Sequence, residues 1–320
     1  MKSLSKQGAS KSLNFIKQVM NELLVLRKID NKSIVRFHEF HETQNSLYFV
    51  LEYLPGNTLE KTLLDPRDTP TIVCILKQIF DCLLVLEQKK IIHRDIKPSN
   101  FVWRLKDIPP IMNELVVIDF GLGCYDGEKN FGYEAGTAGY IAPEGFDKNN
   151  PDRKPLTSKV DVYGVGCILY SYLSQRAAFD GENFRELYEA NKAGFIDFDL
   201  IKNEERAELR SLVEKLLTPD PKDRPSVSQV LRNSMFCDSV TMSKSTKTQI
   251  WTQGTHVLDE SKCWYSVSVL HKQERVWDSC ESLGDNSDHK FQSVQKYLNK
   301  QIFCSIHNCQ AGPGRTGSPT

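Results

Sequence analysis

Eight consecutive residues, His93-Arg94-Asp95-Ile96-Lys97-Pro98-Ser99-Asn100, put a carboxylate, an ammonium and a carboxamide on one short loop, and no other feature constrains the chain as much. Before the loop, Ile72, Ile75, Ile79, Leu83 and Leu86 recur at helical spacing, with Thr69-Pro70 reading as cap and first-turn proline. After it, Leu115 to Ile118 reads as a short buried strand. Asp119-Phe120-Gly121 follows, so a second carboxylate emerges at a strand end with a glycine for the sharp turn.

The rest of the chain supplies elements around this pair of loops. Ile16, Val19, Met20, Leu23 and Leu26 predict a helix over 11–28, with Ser10 or Ser12 as N-cap. Ile34 to Phe40 and Leu47 to Tyr53, split by a polar turn around Asn45, read as an antiparallel strand pair. Val160 to Leu173 is apolar nearly all round, as a helix through the centre of a domain is. Ser226 and Gln229 form a capping box for a last helix ending near Asn233. The order is a helix with strands, then mostly helices: a small lobe before a larger helical one. Beyond Met235 the character changes. Three of the four tryptophans and five of the nine cysteines lie there with little periodicity, and Gly312 to Thr320 reads as a disordered end.

Lys+Arg and Asp+Glu both number 41, so no global field points to nucleic acid or an anionic membrane. The start, MKSLSKQGAS, has no apolar signal region, and no stretch approaches the ~18 uncharged apolar residues of a membrane span. These features predict a soluble cytoplasmic or nuclear protein with neither membrane nor direct nucleic-acid contact. Nine unevenly spaced cysteines predict reduced thiols over a disulfide framework.

Phosphoryl transfer asks for a carboxylate beside the attacking hydroxyl, oxygen ligands for Mg²⁺ on the phosphates, and a cation to orient the nucleotide. Asp95 suits the first role, Lys97 neutralisation of the γ-phosphate of ATP, and Asn100 with Asp119 the metal. With Ala142-Pro143-Glu144 following, these residues resemble the catalytic-loop and metal-loop signatures of eukaryotic-type protein kinases.

The resemblance covers residues 1 to about 235 and implies an α+β, two-lobed fold. The small lobe takes about 1–54, the large lobe about 55–235, and 236–320 form a tail of unknown structure. It implies a structural ion pair between Glu144 and Arg224, and Asp161 as anchor of the catalytic-loop backbone. Leu26, Leu47, His93 and Phe120 match a stacked column linking the lobes, equally readable as plain core. Leu51 to Gly56 resembles the strand and hinge that receive adenine, with Leu51 as gatekeeper and the Glu52 carbonyl and Leu54 amide bonding the purine. Thr58 stands where many relatives keep a ribose-binding acid. Glu22 fits the helical glutamate that pairs with a strand lysine, and the family spacing leads back to Lys2.

One departure follows. The Gly-rich loop, its two strands and the alanine before the strand lysine have no counterpart ahead of Lys2, so the resemblance implies an incomplete small-lobe sheet and a chain that begins late. That predicts a loosely held Lys2–Glu22 pair and weak Mg-ATP binding by this chain.

Lys97 and Gly136-Thr137 resemble the serine/threonine class, whose substrates are protein Ser and Thr hydroxyls, with Thr137 placed to touch Asp95 and Lys97. Arg94 implies activation through a charge on the following loop, where Tyr133 takes the usual acceptor slot beside Glu134 and is equally an exposed loop tyrosine; an activating subunit fits the same scheme. KPSNF and AGTAGYIAPE resemble the cell-division-cycle kinases that fire replication origins, without their long insertions, and KPSNF-like strings also occur in casein-kinase-type enzymes. In the tail, Cys304, His307 and Cys309 read as half a zinc site completed by Cys263 or Cys280, or as free thiols. Trp251, Trp264 and Trp277 suit docking on the large lobe or a partner. The rival to an active kinase is a kinase-shaped scaffold or binding module lacking the phosphate-covering loop, against which the full polar set argues.

Overall fold

The chain opens with a strand, β1 (Lys2–Ser5), then a helix, α1 (Leu13–Lys28), and an antiparallel pair, β2 (Phe37–Glu42) and β3 (Ser46–Leu51). The structure, a computed structural model, describes residues 1–6, 13–62, 64–127, 135–146, 155–201 and 206–237. Among the described residues, 1–4 and 18–237 belong to one packed unit. The strands form one sheet in the order β1-β3-β2, so β1 lies on β3 and not on its sequence neighbour. Thr43 and Ser46 close the β2–β3 turn, the Thr43 amide donating to the Ser46 carbonyl at 2.8 Å. Phe49 is fully buried between the edges of Phe37 and Phe40, at ring separations of 6.5 and 5.2 Å.

The strand expected from Ile34 begins only at Phe37. Ile34 and Val35 are apolar because they are buried against the large lobe. The Val35 amide donates to the Val117 carbonyl at 3.0 Å, and the Val117 amide to the Ser33 carbonyl at 2.9 Å, a parallel bridge distant in sequence. Alternation alone does not separate that use from a hairpin strand.

The large lobe is built on two long helices, α2 (Thr69–Gln88) and α3 (Lys159–Ser174), with α4 (Phe184–Ala193), α5 (Ala207–Leu216), α6 (Val227–Leu231) and α7 (Ser234–Cys237). Short strands β4 (Ile91–Ile92) and β7 (Cys124–Tyr125) pair antiparallel, as do β5 (Phe101–Trp103) and β6 (Leu115–Val117). The N-cap of α2 is Asp68, not Thr69: its carboxylate accepts from the Thr71 amide at 3.1 Å, and Pro70 occupies the first turn, where no intrahelical donor is needed. By length and composition α2 is apolar enough to cross a membrane, with a mean hydropathy of 1.7, which revises the expectation of no such stretch. Its Ile72, Ile75, Leu76, Ile79, Phe80 and Leu83 are instead buried inside the protein. α3 buries residues on every side, as expected, and the Ser226–Gln229 capping box starts α6. Cys74, Cys82 and Cys167 are free thiols. Tyr133, Glu134, Trp251, Trp264, Trp277, Cys263, Cys280, Cys304, His307 and Cys309 lie outside the described residues.

One ion pair holds the far end of this lobe. Arg224, with a side chain 0% exposed, donates Nη1 and Nη2 to the two Glu144 oxygens at 2.7 and 3.0 Å. Its remaining donors reach the carbonyls of Thr218, Lys159 and Pro219, and the guanidinium lies 4.9 Å over the Tyr163 ring. Desolvating a charge this far is tolerable only because every donor is used. Arg224→Ala leaves Glu144 and three carbonyls without their partner, and we expect a loss of about 3–5 kcal/mol in denaturant unfolding of the full chain. Arg224→Lys recovers little, since an ammonium cannot match the planar fork. A loss below about 1 kcal/mol, the range of surface pairs, contradicts this account.

Candidate active site

The site begins where β4 ends. The buried Asp161 carboxylate, in the first turn of α3, accepts from the His93 amide through Oδ2 and the Arg94 amide through Oδ1, each at 2.8 Å. Arg94 sits at φ 66°, a left-handed conformation costly for a bulky residue, and these two bonds hold it there. Burial pushes the Asp161 carboxyl up, against the pull of His93 and Arg94. Gly164 lets α3 come this close, because a Cβ there stands 2.9 Å from Ile96 Cβ and from the Ile96 carbonyl.

The turn so fixed presents Asp95, 8% exposed. Thr137 donates its hydroxyl to Asp95 Oδ1 at 2.6 Å, while Asn100 Nδ2 and Lys97 Nζ each stand 2.9 Å from Oδ2. Lys97 also donates to the Thr137 hydroxyl at 2.6 Å, and Asn100 to the Asp95 carbonyl at 2.7 Å. The Asp95 amide donates to His93 Nδ1, leaving His93 Nε2 to reach the Ile118 carbonyl at 3.2 Å and tie this loop to the next. Burial pushes the Asp95 carboxyl up, but Thr137, Lys97 and Asn100 together hold it below the usual carboxylate range.

Asp119 follows β6 at φ 65°, a second strained non-glycine position, with its Oδ1 accepting from the Gly121 amide at 3.2 Å. Lys2, on β1, places Nζ 2.7 Å from Glu22 Oε1 and 2.8 Å from Asp119 Oδ1. The Glu22 side chain is 3% exposed and that of Lys2 29%, so the pair expected to be loosely held is a half-buried triad of three segments. β1 aims the lysine because it pairs with β3. Burial lowers the Lys2 ammonium, but Glu22 and Asp119 together carry it above its ordinary range. Burial raises Glu22, and Lys2 does not bring it back below its ordinary 4.5.

Beyond β3 lies the segment expected to receive a purine. The Glu52 carboxylate is committed to protein, accepting from the Arg36 amide through Oε1 and from Arg104 Nη1 through Oε2, both at 2.9 Å. The Glu52 amide also donates to the Arg36 carbonyl at 2.9 Å, and Leu54 is half-buried. Thr58 buries a hydroxyl with no hydrogen-bond partner among the described residues, close to the Trp103 strand through the Thr58–Val102 bridge. Leu26, Leu47, His93 and Phe120 are all buried, and the His93 and Phe120 rings lie 4.9 Å apart. Two participants carry no motif. Arg104 links Glu52, Glu114 (3.3 Å) and the Lys32 carbonyl, and Asn191 reaches the loop that bears Thr137. Neither has a local sequence signal, because their partners are distant in the chain.

The protein kinase domain profile matches residues 1–236. The chain is 29% identical over 244 residues to a probable myosin light chain kinase of Dictyostelium discoideum, covering 75% of each protein. It is 29% identical over 239 residues to a Mus musculus protein named inactive serine/threonine-protein kinase PLK5, covering 73% of this chain and 38% of that one. Aurora kinase C of Mus musculus is 28% identical over 221 residues, covering 68% of this chain and 74% of its own length.

The Lys2 triad has a consequence for pH. A carboxyl whose folded value lies above its unfolded one binds more protons when folded, so its contribution to stability falls as pH rises between the two values. Lys2→Met removes the countercharge and raises the Glu22 carboxyl further. We expect the melting temperature of Lys2→Met to fall below that of the unsubstituted chain increasingly as pH rises from about 5 to 8, and Glu22→Gln to remove that slope. Parallel melting curves across this range contradict the burial of the pair.

Proposed function

The chain belongs to the protein kinase family and is of its serine/threonine class, and we propose that it transfers the γ-phosphate of ATP to serine and threonine hydroxyls of protein substrates, with Asp95 as the group that receives the hydroxyl proton. The observation that carries this reading is the set of three polar side chains converging on Asp95: Thr137 at 2.6 Å, and Asn100 and Lys97 each at 2.9 Å. They hold the carboxylate ionised and oriented, as a proton acceptor for a weakly acidic alcohol must be. Lys97 stands where its charge offsets that of a phosphoryl group brought to Asp95. Lys2, held by Glu22 and Asp119, is the cation suited to orient the other phosphates, and the Glu52 carbonyl with the Leu54 amide to hold the purine.

The residues also fit Mg²⁺. Lys2 and the Gly121 amide share Oδ1 of Asp119, and Asn100 spends its Nδ2 on Asp95, so each side chain keeps an oxygen for a hard cation. Asn100 and Asp119 are the residues that would hold it, and when bound it neutralises charge on the phosphates. The three free thiols support the reducing cytoplasm or nucleus as the place of action. A kinase-shaped scaffold without transfer is the weaker reading, because such a protein need not retain this whole set of partly buried polar groups.

Asp95→Asn keeps the shape and removes the base. We expect its kcat to fall by about 10²–10⁴ with KM for both substrates changed far less. Asp119→Ala is expected to abolish Mg²⁺-dependent turnover. Steady-state kinetics on the full chain decide both, and near-normal kcat in either variant overturns the assignment.

A further inference from the structure

The only buried residue of α4 is polar. Asn191 is 0% exposed, on a helix whose other side chains are partly or fully exposed. A buried carboxamide is costly unless its bonds are made, so an apolar residue is the default at such a place. Asn191 makes its bonds to one short segment. Oδ1 accepts from the amides of Gly139 at 3.0 Å and Ile141 at 3.2 Å, and Nδ2 donates to the Ile141 carbonyl at 3.0 Å. The side chain thus acts as a strand-like partner for the loop.

The side chains of Ala138, Ile141 and Ala142 in that loop are buried, but among the described residues its backbone at the two glycines is held by few bonds besides those of Asn191. Gly136 and Gly139 sit at φ 134° and 93°, conformations in which glycine is at ease and which leave the backbone many alternatives. The Tyr140 amide donates to the Thr137 carbonyl at 3.0 Å, so the turn that begins at Thr137 closes at the residue between the two that Asn191 grips. Thr137 in turn bonds Asp95 and Lys97, both at 2.6 Å. The chain of contacts runs from α4 through the turn to the carboxylate. At its near end the loop passes close to the catalytic loop, since a Cβ at Gly136 meets the Arg94 carbonyl at 3.0 Å.

We propose that Asn191 is a positioning residue for the protein-substrate side of the site: through Gly139 and Ile141 it fixes the turn that sets Thr137 against Asp95 and Lys97. This rests on the kinase reading above. The nucleotide side, formed by Lys2, Asp119 and the Glu52–Leu54 segment, has no bond to Asn191 and does not depend on it.

The test compares the unsubstituted chain with Asn191→Leu, which fills the space without bonds, and Asn191→Asp, which keeps the oxygen acceptor for both amides. The acceptor is a degenerate peptide mixture with a single serine, and hydrogen exchange is followed at the amides of residues 139 and 141. For Asn191→Leu we expect kcat/KM for peptide to fall about tenfold or more, KM for ATP to stay within about twofold, and both amides to exchange faster. Asn191→Asp should lie between the two in each peptide and exchange readout. Unchanged exchange and peptide kcat/KM in a normally melting Asn191→Leu protein overturn the proposal. So does an equal loss of ATP affinity, which shows a lobe-wide effect. If Asn191→Leu does not fold, Asn191→Asp decides by the same readouts. If the unsubstituted chain transfers no phosphate, the kinase reading falls, and exchange alone decides whether Asn191 fixes the loop.

Discussion

The buried carboxylate of Asp161 is the fixed point from which the active site is built. It turns two backbone amides, of His93 and Arg94, toward the centre of the large lobe and so dictates the direction in which Asp95 leaves the turn. Hydrogen bonds to a charged acceptor contribute roughly 1.5–3 kcal/mol each, enough to offset the ~1–3 kcal/mol of a strained backbone position such as Arg94 at φ 66°. The anchor itself is rigid because α3 is buried on all sides and because Gly164 admits the loop at Ile96.

From that point the charges are arranged in two shared sets. Lys97 serves Asp95 and Thr137 together, and Lys2 serves Glu22 and Asp119 together. The carboxylates then part company by environment. Asp95 and Asp119 collect several donors and are held below the ordinary carboxylate range despite burial, whereas Glu22 has Lys2 alone against nearly complete burial and is held above it. The two groups assigned to the reaction are held more acidic than an ordinary carboxyl, and the one that pairs with Lys2 less acidic.

How much of this was legible in the chain depends on whether the partners are near in sequence. The loop from His93 to Asn100 and the strand-end Asp119 announce themselves because their chemistry is packed into a few residues, and the capping box from Ser226 to Gln229 is a four-residue pattern. The Glu144–Arg224 contact, although long in range, followed from the family resemblance. Ile34 misled as a hairpin strand because it is buried for Val117, and Asp68 was overlooked as a cap because Thr69 beside it also suits the role. α4 shows no apolar stripe because it buries only Asn191, whereas α5 does carry one, Leu209, Leu212, Val213 and Leu216 at helical spacing, which the chain offers as plainly as the stripe of α2. The strength of the Lys2 triad was underestimated, since its burial depends on a β1–β3 pairing that no residue near Lys2 reports.

The central claim is that Asp95 serves an alcohol of a protein side chain, with Thr137 and Lys97 fixed beside it. Its most direct measurement uses ATP labelled in the γ-phosphate, a degenerate peptide mixture containing serine, threonine and tyrosine, and identification of the labelled amino acids. The account predicts label on serine and threonine. Label mainly on tyrosine, or released only as inorganic phosphate, contradicts it.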